Sequence, residues 1–187
     1  MSDNKIANAL WTETLRPKSL NQCILLPRVK SELEKGLIDN ILLCGTPGLG
    51  KTTIARILCK QAKGDVLELN GSLENGIDII RQRVEMFATS ASLFGGGFDD
   101  LKVVFFDESD GLTKEAQKAL RPLLESTWKS CRYIWTCNYL EKIIEPIQSR
   151  FNVISLNPIN SSEEQYLIEQ YTIRVKQILD AVKISYT

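Results

Sequence analysis

Five short runs along the chain are near-continuously apolar or β-branched: Ile41 to Gly45, Val66 to Asn70, Lys102 to Glu108, Tyr133 to Asn138 and Phe151 to Leu156. None alternates cleanly between apolar and polar positions, which is how strands covered on both faces read. Between the runs the apolar period lengthens to that of a helix. Thr52 to Gln61 and Lys114 to Ser126 are two such stretches. Ile77 to Ala91 is another, with Ile77, Ile80, Val84, Phe87, Ala88 and Ala91 on one stripe. Strands alternating with helices predict an α/β three-layer fold around a mostly parallel, five-stranded sheet. Pro122 falls inside the Lys114 to Ser126 stretch, where its missing N–H predicts a kink or break. The run Gly95-Gly96-Gly97 has no helix start behind it, and so predicts a flexible loop rather than a phosphate cradle.

Beyond Pro158, the segment Ser161-Ser162-Glu163-Glu164 has the character of a helix start. Leu167, Ile168, Tyr171, Val175, Ile178, Leu179 and Val182 then follow at helical spacing. A single amphipathic helix needs a surface to cover. Either it lies on the main domain or it is the first helix of a second one. The expected organisation is a core over residues 1–157 and the first helix of an incomplete further domain over residues 158–187.

Composition narrows the chemistry. The chain has 187 residues, 43% hydrophobic and 25% charged, enough for one core and too few for two full domains. No apolar run nears the roughly 20 residues of a membrane-spanning helix, and no secretory signal is visible. The five cysteines form no CxxC pair, and Cys44 and Cys137 sit within apolar runs, so free thiols in a reducing cytoplasm are expected. Histidine is absent, which removes Ser-His and Cys-His nucleophile pairs and histidine-bound metals. Chemistry must run on carboxylates, lysine, arginine and bound metal. With zero net charge, contact with nucleic acid would need a local basic surface or several copies around the duplex.

Gly45-Thr46-Pro47-Gly48-Leu49-Gly50-Lys51-Thr52 matches the phosphate-loop pattern, follows a predicted strand and opens a predicted helix. In such a loop Gly48 and Gly50 let backbone amides close around a phosphate, with Thr53 in the first turn behind. Lys51 bridges the β- and γ-phosphates of ATP, and the Thr52 hydroxyl ligates Mg2+. Val103 to Phe106 leads into Asp107 and Glu108, carboxylates at the carboxyl end of a buried strand, where ligands bind in parallel sheets. Asp107 is the second candidate magnesium ligand, and Glu108 the candidate general base for an attacking water. Asn138 closes the next strand, where it either orients that water or forms a turn. Locally, Arg150 is no more than a surface charge.

The order of these motifs resembles that of the AAA+ ATPases and, within them, of sliding-clamp-loader subunits of the tailed-phage large-subunit and replication factor C small-subunit type. The likeness runs over about Trp11 to Leu156. Trp11 to Pro17 (WTETLRP) resembles the amino-terminal W-x-E-K-Y-R-P segment, with Leu15 replacing tyrosine. That likeness implies Arg16 and Pro17, with Ile24, on the adenine side. Asn70 to Arg81 (NGSLENGIDIIR) is similar to N-A-S-D-x-R-G-I-D-V-V-R. Asp107 to Asp110 is similar to the D-E-A-D box and Ala116 to Arg121 (AQKALR) to A-Q-x-A-L-R. Thr136 to Tyr139 is similar to the sensor-1 C-N-Y, and Gln148-Ser149-Arg150 to the Q-S-R-C arginine finger.

This resemblance implies Mg-dependent ATP hydrolysis that drives loading of a sliding clamp onto primer-template DNA. Implied partners are other clamp-loader subunits, as a homo- or hetero-oligomer, the sliding clamp and the DNA, with no membrane. The implied setting is the cytoplasm, that of the host if the chain is phage-encoded. Arg150 would enter a neighbour's ATP site in trans, where a finger adds roughly 10³ to 10⁵ in rate, and Arg121 would act on the same nucleotide. Gly76, Arg81 and Arg83 would follow the DNA phosphates. Asn75 stands where the family has an arginine, Phe151 where it has a cysteine and Pro122 where it has a second arginine. The family continues into a helical lid with a second sensor arginine and then a collar, whereas this sequence stops inside the first lid helix. The alternatives are a non-hydrolysing scaffold that donates Arg150, and a branch-migration type of AAA+ motor.

Overall fold

The computed structural model describes residues 15–62, 64–72, 77–90 and 102–181. Five strands, β1 (Ile41–Cys44), β2 (Val66–Asn70), β3 (Lys102–Asp107), β4 (Cys131–Cys137) and β5 (Asn152–Ser155), form one sheet in the order β2-β3-β4-β1-β5. Every pairing is parallel. The described helices are α1 (Pro27–Glu34), α2 (Lys51–Gln61), α3 (Ile77–Thr89), α4 (Lys114–Ser126), α5 (Glu145–Gln148) and α6 (Ser161–Ala181).

Alternation along each central strand divides the core into two layers. Leu42 and Cys44 of β1, Val104 and Phe106 of β3, and Tyr133, Trp135 and Cys137 of β4 face α3, α4 and α5. Their neighbours Ile41, Leu43, Val103, Phe105 and Ile134 face α1, α2 and α6. Because helices cover both faces, the central strands lose the apolar-polar alternation of a one-sided sheet. The expectation of full cover fails at the edges. Val66 of β2 is 42% exposed and Val153 of β5 is exposed as well, because an edge strand has a neighbour on one side only. β4 begins at Cys131, two residues before the predicted start.

Pro122 does not break its helix: α4 runs from Lys114 to Ser126 as one element. Proline deprives the Lys118 carbonyl of its helical partner, but Lys118 and Pro122 both face solvent, so water can serve that oxygen. The roughly 3 kcal/mol cost is offset by burial of Leu120, Leu123 and Leu124, each worth about 1.5 to 3 kcal/mol. Thr113 adds an N-cap, accepting the Ala116 N–H at 3.2 Å.

Near its start α6 touches the main domain. Leu167 enters the core layer that contains α1 and α2, with Tyr166 packed against it, while Ile168, Ile173 and Val175 stay exposed. α1 and the single turn α5 were not foreseen from the periodicity. Each carries a proline in its first turn, where the missing N–H costs nothing. Ala91, Val182 and the run Gly95 to Gly97 lie outside the described residues. All five cysteines are free thiols. Among the described residues no helix is long and apolar enough to cross a membrane.

Candidate functional site

The register that pairs Cys44 with Cys137 and Phe106 with Trp135 brings the carboxyl ends of β1, β3 and β4 to one edge of the sheet. The loop after β1 turns there through Gly48 (φ 90°) and Gly50 (φ 83°), left-handed conformations that disfavour any side chain. Gly50 is the N-cap of α2, so Lys51 and Thr52 open the helix with its amino end aimed at the loop. Lys51 is buried, and its ammonium donates to the carbonyls of Gly45 at 2.8 Å and Thr46 at 2.9 Å. Burial pushes its pKa below the ordinary lysine value.

Asp107, the last residue of β3, is the hub of the site. Its Oδ1 accepts the Thr52 hydroxyl at 2.9 Å and the Thr136 hydroxyl at 2.6 Å. Thr136 in turn accepts the Glu108 N–H at 3.0 Å. Glu108 follows with φ 53°, the one positive φ outside glycine among the described residues. Turned out of the strand in this way, it stands at the edge of the cavity rather than under the sheet, in a conformation that costs about 1 to 3 kcal/mol.

A cavity of about 750 Å³ opens over this edge. It is lined by Pro47, Gly48, Gly50, Lys51, Thr52 and Thr53 of the loop and helix, by Asp107, Glu108 and Asn138 of the sheet edge, and by Arg16 and Pro17. A contiguous recess of about 290 Å³ adds Leu49 and Ile24, facing Tyr171, Val175 and Ile178 of α6. The phosphate-loop, acidic and adenine-side residues singled out in the sequence therefore converge, with Gly45 and Thr46 forming the base of the loop. Asn138 sits just past the end of β4, on the cavity wall beside Cys137.

The remaining candidates lie elsewhere. Arg150 borders a separate groove of about 490 Å³ with Trp128 and Asn152. It bonds to the Pro146 carbonyl and to Glu125, whose carboxylate also accepts from Arg121 Nε at 3.1 Å. Arg81 and Arg83 are exposed on α3, and Gly76 lies outside the described residues. Three residues of the arrangement were missed in the sequence. In the sequence Thr136 is only a neighbour of the sensor-1 motif, Glu125 carries no motif, and Asn157 is no more than a domain boundary.

A glycine loop on a helix amino terminus, facing a carboxylate at the end of a parallel strand, defines a P-loop nucleotide-binding domain. Residues 41–159 match the ATPase family associated with various cellular activities (AAA), and the chain belongs to that family. It is 40% identical over 159 residues to the replication factor C small subunit of Archaeoglobus fulgidus, covering 80% of this chain and 49% of the relative. It is 42% identical over 160 residues to that of Methanosarcina acetivorans, covering 80% of this chain and 46% of the relative. The chain thus spans about half the length of the curated relatives it matches. In fold it is similar to the Holliday junction branch migration motor RuvB of Thermotoga maritima, with a TM-score of 0.63 at 23% identity over 87% of this chain and 55% of that one. At that identity the likeness is one of fold alone.

Proposed function

We propose that this chain is the ATP-hydrolysing core of a sliding-clamp-loader subunit, acting with Mg2+, other loader subunits, a sliding clamp and primer-template DNA. The observation that carries the reading is the cluster of Lys51, Thr52, Asp107 and Thr136 on the wall of the 750 Å³ cavity. It occurs in a chain 40% identical, over 80% of its length, to replication factor C small subunits.

The donor set fits magnesium. Thr52 Oγ1 and Asp107 Oδ1, 2.9 Å apart, are hard oxygens, one anionic, of the kind this ion takes from protein beside substrate phosphates. When bound, the ion would neutralise charge across the β- and γ-phosphate oxygens. The loop amides of Gly48 and Gly50 cradle the phosphates, and Lys51 exchanges its loop carbonyls for phosphate oxygens. Glu108 takes the proton of the attacking water, and its backbone is held by Thr136. Asn138 orients that water by its side-chain amide. Arg16, Pro17 and Ile24 shape the adenine side. Arg150, with Arg121 beside it, acts in trans on a neighbour's nucleotide. The DNA backbone is followed by α3 through Arg81 and Arg83. In this reading residues 157 and 158 join the core to the first helix of a lid.

The test is Mg-dependent ATP hydrolysis by the purified chain, alone and with primed DNA, against Glu108→Gln. The wild type is expected to turn over, and the variant to bind ATP with turnover reduced about 100-fold or more. If the wild type binds ATP without turnover in any mixture, the chain is instead a nucleotide-binding donor of Arg150.

A further inference from the structure

The phosphate loop is fastened from behind by a residue outside its motif. Asn157 follows β5, and its side-chain oxygen accepts the Thr46 N–H at 2.9 Å and the Thr46 hydroxyl at 3.3 Å. Gly45 lies against the same side chain: a Cβ there would come 3.1 Å from the Asn157 oxygen. The main chain of Asn157 is tied in the opposite direction. Its carbonyl accepts Arg28 Nη2 at 2.7 Å, and Arg28 Nη1 reaches the Ser155 carbonyl at 2.9 Å. Arg28 also pairs with Glu163 at 3.0 Å, and Glu163 accepts the Ile159 N–H at 3.0 Å. One continuous hydrogen-bonded path therefore runs from the loop through Asn157 and Arg28 to the first turn of α6. The far end of the same helix brings Ile178 to the cavity wall.

From this path we propose that Asn157 is a positioning residue of the nucleotide site, fixing the first turn of the phosphate loop relative to α6 before nucleotide arrives. The inference rests on the nucleotide reading of the cavity. A phosphate cradle works through backbone amides aimed at the ligand, and a loop already held loses less conformational freedom on binding. The Thr46 amide points away from the cradle to Asn157, so it contributes anchorage rather than a phosphate contact. Loss of the anchor affects bound substrate and transition state alike, which raises KM and leaves kcat unchanged.

The experiment uses the full chain, comparing wild type, Asn157→Ala and Asn157→Asp. Amide hydrogen exchange of residues 45–50 is followed without nucleotide, and binding of Mg-ADP and a non-hydrolysable ATP analogue is measured by calorimetry. Asn157→Ala is expected to speed exchange of the loop and to weaken both nucleotides about three- to tenfold, the range of one net hydrogen bond. Asn157→Asp retains the acceptor oxygen and is expected to keep the slow exchange, which a variant that merely disturbed the fold would not do. Equal nucleotide affinity in wild type and Asn157→Ala, or fast loop exchange in Asn157→Asp, overturns the proposal. A wild-type chain that binds neither nucleotide overturns the nucleotide reading itself, a result distinct from wild-type binding that Asn157→Ala leaves untouched.

Discussion

Thr136 and Asp107, on adjacent strands, meet at 2.6 Å, and the hydroxyl that Thr136 donates to the carboxylate also accepts the Glu108 N–H. One buried side chain thus bonds to the carboxylate of one acid and to the backbone of the next. Thr136→Val keeps the branched shape but leaves the Glu108 amide and Asp107 Oδ1 without this partner. Stability is expected to fall by about 1 to 3 kcal/mol, read by urea unfolding. In an active preparation, kcat for ATP should drop about tenfold as Glu108 loses its backbone restraint, a barrier change of about 1.4 kcal/mol. Wild-type turnover in this variant would show that Glu108 is held by its own φ and not by Thr136.

Arg150 is held by Glu125. That carboxylate is flanked by Arg121 and Arg150, which hold its pKa below the ordinary glutamate value, Arg121 being the larger influence. If Arg150 acts in trans, Arg150→Ala leaves the nucleotide affinity of its own chain unchanged and lowers turnover of the assembled protein by about 10³-fold. Mixing Arg150→Ala with Lys51→Ala then restores activity, because each supplies what the other lacks. No recovery in the mixture, where the wild type is active, would place Arg150 outside the reaction.

Pro122 carries a penalty that its helix tolerates. Since Pro122 is exposed and no packing depends on its ring, Pro122→Ala restores the missing N–H and should stabilise the chain by about 1 to 3 kcal/mol. That corresponds to a rise in Tm of about 2 to 4 °C per kcal/mol for a domain of this size. A fall in Tm would mean that the restriction proline places on the unfolded chain outweighs the helix bond.

Most of the sheet and the long helices were legible because periodicity and local chemistry agree over many residues. The phosphate loop was legible because its pattern fills eight consecutive positions. Thr136 and Asn157 were not, since their parts depend on pairings between residues far apart in the chain. The partnership of Thr136 with Asp107 follows from the register that sets Phe106 against Trp135, and that of Asn157 with Thr46 from the pairing of β1 with β5. Edge positions were hidden too, because Val66 and Val153 are as apolar as residues of central strands. The expected break at Pro122 does not occur because burial of Leu120, Leu123 and Leu124 opposes the local penalty. Lys102 illustrates a polar residue inside an apolar run. It is buried, and donates to the Phe87 carbonyl at 2.7 Å, closing the end of α3.

Alkaline sensitivity follows from the buried thiols. Burial pushes the pKa of Cys59 and of Cys137 from the ordinary 9.0 up to about 12. Between those values the folded chain keeps both protons while the unfolded chain loses them, so the unfolded state is favoured as pH rises. The stabilising contribution is fully present below about pH 9 and is lost progressively toward about pH 12. Each thiol should contribute a loss of about 1.4 kcal/mol per pH unit in that window. Urea titrations at stepped pH are expected to show the decline, and Cys59→Ala should flatten it by one thiol's share despite a lower starting stability. An unchanged slope in Cys59→Ala would mean that this thiol reaches solvent and ionises in the folded chain.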